Sequence, residues 1–323
     1  MMKLSELCEN SYYYNKDGML FNMNCLDGLK KLNNESIDLF VTSPPYFNAR
    51  EYSQYSNTKE YMDIMRNIFQ EAYRTLKNHK YVVLNVGDVT CQVGKAKWST
   101  KKLPLGAMFT MMMEEIGFEF IDDYIWDKGE PQSKRHIGNP PYPFYQYPVN
   151  CYEHILIFVK HEFNNKKIPC PICNETIVVS NSCSGIGIQS WECKNPNCQT
   201  KSKSGRGKRY SERSVMMNNY KTKENIISND FIKTWRRDIV KINPVIKINN
   251  KKENKIGHTA PFPKEIPEMA IRYFSGKDDI VCDMFMGSGT TAIVCEELNR
   301  KWIGFEMSEE YCEIIKDRLN SIK

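Results

Sequence analysis

The stretch "DIVCDMFMGSGTTAIVCEELNRKWIGFE" (residues 279–306) decides how the chain folds. A β-rich run ends at Asp283, glycines follow at 287 and 289, a helical segment rises from Thr290, and a second strand-like run closes on Glu306. Glycines at such a turn let the backbone bend sharply and approach a ligand, and an acid ending the next strand can accept from ribose hydroxyls. Gly287-x-Gly289-x-x-Ala292 also meets the relaxed dinucleotide fingerprint. The loop lacks the Gly-Lys-Ser/Thr of a phosphate-gripping turn, which argues against ATP hydrolysis. It leaves open whether an adenosine there belongs to NAD or to S-adenosylmethionine.

The same alternation recurs toward the N-terminus. "SIDLFVT" (36–42) and "KYVVLNVGD" (80–88) read as buried parallel strands. The helical run between them puts Tyr61, Ile64, Met65, Ile68, Ala72 and Leu76 on one face, with Thr58 as N-cap. A helix is expected over 103–117, ending at Gly117, with strands over 118–128 and 152–160. Further helices are expected over 262–275 and 308–322, the last turning Tyr311, Ile314, Ile315 and Leu319 inward. Strands alternating with helices at both ends predict an α/β fold with a parallel sheet covered on both faces. From about His161 to Lys255 the texture turns to lysine, asparagine and serine, so residues 161–255 read as an insertion between a first part, 1–160, and a last part, 256–323.

The chain has 323 residues, a formal charge of +6 and a sequence pI near 8.6. No signal-peptide pattern or membrane-length apolar run is evident, so a soluble cytoplasmic, nucleoid-associated protein is expected. Most of the twelve cysteines are scattered through apolar segments, Cys282 and Cys295 among them, as reduced core thiols.

"DLFVTSPPYFNAR" (38–50) carries a strand into two prolines and an aromatic ring. An exocyclic amine on a nucleobase is a poor nucleophile, because its lone pair is delocalised into the ring. Acceptors that take hydrogen bonds from its N–H groups favour a tetrahedral, attacking nitrogen. Ser43 offers a hydroxyl, and Pro44 and Pro45 fix the backbone so that the Pro44 carbonyl is aimed at a ligand. Tyr46 offers a face on which an extruded base can stack, worth roughly 1–3 kcal/mol.

Together "TSPPY" and "DMFMGSGTT" resemble the catalytic and cofactor motifs of amino-group DNA methyltransferases of the β arrangement, in which the catalytic motif comes first. The resemblance covers nearly the whole chain outside the insertion. It implies a mostly parallel, seven-stranded Rossmann-like methyltransferase sheet, S-adenosylmethionine as cofactor and base flipping from double-stranded DNA. It implies that Ser43, Pro44, Pro45 and Tyr46 hold the target base. Asp283, Phe285, Gly287, Ser288, Gly289, Thr290 and Glu306 would form the cofactor site. "NMNCLDGLKKL" (22–32) resembles the segment that contacts adenine, through Asp27, and "HTAPFPKEIPEMAIRYFS" (258–275) the segment that closes over the methionine portion, through Pro261 and Phe262. "YIWDK" and "PVNCYEHILIFVK" resemble strands near the target base. Asp283-Met284-Phe285 departs from the usual Asp-Pro-Phe, which implies a looser turn. In this family Ser at the first catalytic position usually accompanies cytosine N4 and Asp adenine N6, so Ser43 points to N4, with N6 the alternative. A homodimer and a cognate restriction endonuclease stay open as partners.

Within the insertion, Cys170-x-x-Cys173 and Cys193-x4-Cys198 have the spacing of a thiolate zinc site in a ribbon, with Cys183 as rival ligand. So small and polar a segment lacks the apolar content to fold without a staple. Lys201, Lys203, Arg206, Lys208, Arg209 and Arg213 follow directly, and Arg236 and Arg237 lie further on, all candidates for DNA contact in a target-recognition module. Trp235 reads equally as core or DNA contact. "GNPPYPFYQYP" (138–148) has no strand before it, so Asn139 to Tyr142 reads as a loop rather than a second catalytic motif. The rival from another class is a zinc-ribbon DNA-binding protein without catalysis. An NAD-linked oxidoreductase lacks any hydride-site constellation.

Overall fold

The computed structural model describes residues 9–47, 55–92, 100–129, 142–143, 148, 150–163, 167–183, 188–198, 209–245 and 262–322. The strands are β1 (Tyr13–Tyr14), β2 (Gly18–Asn22), β3 (Ile37–Thr42), β4 (Leu76–Val86), β5 (Val89–Gln92), β6 (Thr100–Leu103), β7 (Phe118–Asp127), β8 (Tyr152–Lys160), β9 (Val178–Cys183), β10 (Gln189–Cys193), β11 (Arg209–Ser211), β12 (Ile239–Lys241), β13 (Ile280–Asp283) and β14 (Lys301–Glu306). Nine of them form one sheet in the order β1-β2-β14-β13-β3-β4-β8-β7-β12.

Among the described residues the expected count of seven is therefore corrected to nine. The two additional strands, β1 and β12, are edge strands of two and three residues, too short to carry a readable period. The sheet is mostly parallel, but β8 runs antiparallel to both β4 and β7.

This order positions the site. From β3 the chain passes through helix Thr58–Thr75 to β4 on one side, and from β13 through helix Thr290–Glu297 to β14 on the other. β3 and β13 are themselves paired in parallel. The connections thus diverge from two adjacent strands, leaving a crevice outside their carboxyl ends, where ligands bind in open α/β sheets.

Helices cover both faces. Tyr61, Met65, Ile68, Phe69 and Ala72 of the Thr58–Thr75 helix are buried in one core. Ile64, expected to face inward, is 37 % exposed because it lies at the margin of that stripe, whereas Phe69 is buried. The N-cap is Asn57, whose side chain accepts from Glu60 N, one residue before the expected Thr58. Gly117 ends helix Leu105–Ile116 in the left-handed region, as the sequence indicated. In the last helix, Glu309–Ser321, Cys312, Ile315 and Leu319 are buried, whereas Tyr311 and Ile314 are half-buried.

The described residues between 161 and 255 do not stay together. Strands β9, β10 and β11 make a separate antiparallel sheet over its own small core of Cys170, Val178, Trp191, Cys193, Cys198 and Tyr210. Strand β12 instead joins the large sheet beside β7, and Trp235 packs edge-on against Tyr124 at 6.0 Å. Trp235 is only 3 % exposed, which makes it a core residue. At the amino end of the sheet, Lys80 Nζ lies 3.1 Å from Asp38 and 3.0 Å from Asp279, and Tyr220 donates to Asp279 at 2.7 Å. No helix among the described residues is long and apolar enough to cross a membrane.

Candidate active site and cysteine cluster

The Ser-Pro-Pro-Tyr corner and the glycine loop are joined by one carboxylate. Thr42 ends β3, and its hydroxyl donates to Asp283 Oδ1 at 2.7 Å. Thr291, in the first turn of the helix after the glycines, donates to Asp283 Oδ2 at 2.6 Å, and Phe285 N donates to Oδ1 at 3.0 Å. Asp283 is 1 % exposed. Burial pushes its pKa up, and these three donors oppose the shift. Since both oxygens already hold protein donors, Asp283 braces the loop rather than facing the crevice.

The loop itself needs its glycines. Gly287 has φ of 55° and Gly289 of 79°, the left-handed region in which a side chain is strained. Gly287 N donates to Glu306 Oε2 at 2.8 Å and Ser308 N to Oε1 at 2.9 Å. A carboxylate has about four lone-pair directions, so Glu306 keeps acceptor capacity beside the loop. Burial raises its pKa against the pull of these backbone N–H groups. Ser288 is buried and its carbonyl accepts from Arg318. Phe285 is half-buried against the first core, and Thr290 begins the helix.

Parallel register brings the remaining cofactor candidates to the same rim. Glu306 aligns with Asn22 at the end of β2, and the helix that follows, Cys25–Lys31, carries the exposed Asp27 in its first turn. Phe262 packs half-buried on the second core, near the start of helix Glu265–Phe274. Pro261 lies outside the described residues.

In the corner, Pro44 is buried while Ser43, Pro45 and Tyr46 are half-buried. Tyr46 donates its phenolic proton to Glu153 Oε2 at 2.8 Å, and Lys128 Nζ lies 2.7 Å from Glu153 Oε1. Gly87, at the end of β4, lies against both side chains: a Cβ there would lie 2.9 Å from Glu153 Cγ and 3.2 Å from Tyr46 Cε2. Sequence reasoning took in Thr42, Lys128 and Thr291 only within the motifs TSPPY, YIWDK and DMFMGSGTT, without a role for each, and did not single out Gly87 or Glu153. "PVNCYEHILIFVK" did point to the strand bearing Glu153, but not to that residue.

The candidate DNA contacts divide. Lys201, Lys203, Arg206 and Lys208 lie outside the described residues, as does most of 138–148. Arg209 on β11 and Arg213 in helix Glu212–Asn219 sit beside Glu212, which lies 3.5 Å from His79 Nε2 near the amino end of β4. From His79 to Val86, at roughly 3.3 Å per residue, is on the order of 20 Å along the strand away from the end that carries the Ser-Pro-Pro-Tyr corner. Arg236 and Arg237 are exposed on the turn into β12, where Ile239 aligns with Ile125, Ile125 with His154, and His154 with Val86, toward the carboxyl end of β4.

The four predicted cysteines do converge. The sulfurs of Cys170, Cys173, Cys193 and Cys198 all lie within 4.8 Å of one another, with Cys170 and Cys198 at 3.9 Å and Cys173 and Cys193 at 3.7 Å. Cys183, the rival ligand, is exposed and outside this cluster.

A sequence model of the DNA methylase family N6_N4_Mtase matches residues 37–317. The chain is 36 % identical over 295 residues to the type II beta methyltransferase M.BslI of Bacillus sp. (strain NEB-606), covering 90 % of this chain but only 26 % of that protein. It is 30 % identical over 299 residues to the orphan methyltransferase M.BamHII of Bacillus amyloliquefaciens, covering 88 % and 89 % of the two chains. The fold is that of the PvuII cytosine-N4-specific DNA methyltransferase, at a TM-score of 0.60 and 21 % identity over 96 % and 88 % of the chains. It is equally that of TTHA0409 from Thermus thermophilus complexed with S-adenosyl-L-methionine, at a TM-score of 0.60 and 21 % identity over 94 % of each. The chain belongs to the N6_N4_Mtase family of DNA methylases.

Proposed function

We propose that this protein methylates the exocyclic N4 amine of a cytosine flipped out of duplex DNA, with S-adenosylmethionine as donor. One observation carries the reading: the Thr42–Asp283–Thr291 clamp holds the Ser-Pro-Pro-Tyr corner and the glycine loop at neighbouring strand ends. The left-handed glycines and the half-buried Glu306, with acceptor capacity remaining, fit an adenosine whose ribose hydroxyls need an acceptor. Asp27 on the adjoining rim fits an adenine amino group, and Phe262 and Pro261 the methionine side. When bound, S-adenosylmethionine supplies a methyl on a positively charged sulfur.

The chain's residues do the rest. The Ser43 oxygen and the Pro44 carbonyl accept the two N–H bonds of the amine, which turns its lone pair out of conjugation toward the methyl. Tyr46 holds the base by stacking. S-adenosylmethionine held by the glycine loop and Glu306 would supply the electrophilic methyl, its sulfur keeping the electron pair, to the amine that Ser43 and Pro44 orient, and the surplus amine proton would leave afterwards. Positioning and exclusion of water carry the acceleration, with no covalent enzyme intermediate. Ser43, where N6-adenine relatives more often carry Asp, supports cytosine.

Within residues 161–255, Arg236 and Arg237, on the turn into the edge strand β12, serve in DNA recognition, whereas Arg209 and Arg213 lie by the amino end of β4. Cys170, Cys173, Cys193 and Cys198 hold a structural zinc. A tetrahedral ion with Zn–S near 2.3 Å sets its sulfurs roughly 3.8 Å apart, close to the spacing of the two pairs. Relatives named type II methyltransferases support a place beside a cognate restriction endonuclease.

The test is transfer of isotope-labelled methyl to duplex DNA by the wild type and by Ser43→Ala. Label in DNA with the wild type, falling by roughly 10²-fold or more in the variant, is expected. An inactive wild type on every duplex, or an undiminished variant, would overturn the reading.

A further inference from the structure

We infer that Glu153 fixes the direction of the hydrogen bonds in the catalytic corner, and through Tyr46 makes the Ser43 oxygen an acceptor. This rests on the proposed role of Ser43 in holding the amine.

The inference follows from counting protons along a chain of four residues. The Glu153 carboxylate can only accept, and Lys128 Nζ lies 2.7 Å from its Oε1. Its other oxygen therefore takes the phenolic proton of Tyr46, at 2.8 Å. Having donated its single proton, the Tyr46 oxygen can only accept. Ser43 hydrogen-bonds that same oxygen, so the serine must be the donor. Its proton thus faces away from the substrate, and only lone pairs remain for an amine N–H. A serine left to itself could equally donate to the base, whose cytosine ring nitrogen is an acceptor.

The surroundings hold this chain in one geometry. Glu153 aligns with Trp126 across β7 and β8, and Lys128 N donates to the Cys151 carbonyl at 2.8 Å, so acid and ammonium come from adjoining points of one ladder. The Glu153 side chain is 13 % exposed and that of Lys128 26 %, so water competes little for either. At Gly87 the space of a side chain is filled by Glu153 and Tyr46 themselves. Glu153 is accordingly a positioning residue, acting on the substrate through two hydroxyls.

A carboxamide of the same shape separates polarity from packing. Glu153→Gln keeps its oxygen for Lys128, which can only donate, and so turns its NH2 toward Tyr46, donating where the carboxylate accepted, while Tyr46→Phe keeps the ring and breaks the chain one step nearer Ser43. Single-turnover methyl transfer should fall on the order of 10- to 100-fold in each, the worth of one misdirected hydrogen bond at a reacting group. Affinity for S-adenosylmethionine and melting temperature should stay at wild-type values. The double variant should be no slower than either single one, because both break the same chain. Wild-type rates in Glu153→Gln, losses that multiply in the double variant, or a loss confined to cofactor affinity would each overturn the inference. An inactive wild type would instead sink the functional reading beneath it.

Discussion

Thr42 and Asp283 stand 241 residues apart in the chain, yet the threonine hydroxyl donates to the buried carboxylate at 2.7 Å. Through that bond, and its twin from Thr291, the end of the strand that carries the Ser-Pro-Pro-Tyr corner is fixed against the start of the glycine loop.

Replacing Asp283 by alanine should damage both halves at once. Two buried hydroxyls lose their acceptor, at about 1–3 kcal/mol each, and the loop loses its anchor at Phe285 N. Thermal melting should fall by several degrees and S-adenosylmethionine binding should weaken in the same variant. Thr42→Val should show a smaller loss of both, since one oxygen of Asp283 stays satisfied by Thr291.

Substitutions in the loop should spare DNA. A side chain at Gly289 meets Ile315 Cγ1 at 2.9 Å in addition to the strain of its left-handed backbone. Gly289→Ala and Gly287→Val should each reduce S-adenosylmethionine affinity by roughly tenfold or more, for about 1–2 kcal/mol of backbone strain. Gel-shift affinity for duplex DNA should be retained. Tyr46→Ala should give the converse, and equal losses in both assays for all three variants would contradict this division.

Cofactor affinity should depend on pH through Glu306. The charged form accepts from Gly287 N and Ser308 N and offers lone pairs to ribose, and burial raises the pKa. Protonation removes an acceptor, so affinity should be flat at neutral pH and decline as pH falls, beginning above the ordinary Glu range near pH 4.3. Titration of Kd from pH 8 downward checks this, and Glu306→Gln should bind more weakly with that decline abolished.

The cysteine cluster should carry one zinc per chain by elemental analysis. Cys170→Ser should lose it and Cys183→Ser should keep it. Chelation should expose Trp191, which is 4 % exposed in the small core, and shift its fluorescence to the red. Metal retained in Cys170→Ser but lost in Cys183→Ser would reassign the ligands.

How much of this could be read in advance follows from the range of each signal. The glycine loop, the Ser-Pro-Pro-Tyr corner and the paired cysteines are local patterns, and each is written within a few residues. Thr42 and Glu153 are not legible in that way, because what matters about them is a partner. Thr42 is an ordinary strand residue until β3 lies beside β13, and Glu153 becomes part of the corner only through the β4–β8 register. Arg209 and Arg236 share a basic composition, yet the chain carries them to different ends of the sheet. β1 and β12 escaped notice because two or three residues show no alternation.

The most direct test is the chemical identity of the product. Duplex DNA incubated with the protein and labelled S-adenosylmethionine, then digested to nucleosides and analysed by mass spectrometry, should contain labelled N4-methylcytosine. Labelled N6-methyladenine would overturn the choice of base, while label on cytosine C5, or none at all, would contradict the proposal that Ser43 and Pro44 present an exocyclic amine to the methyl donor.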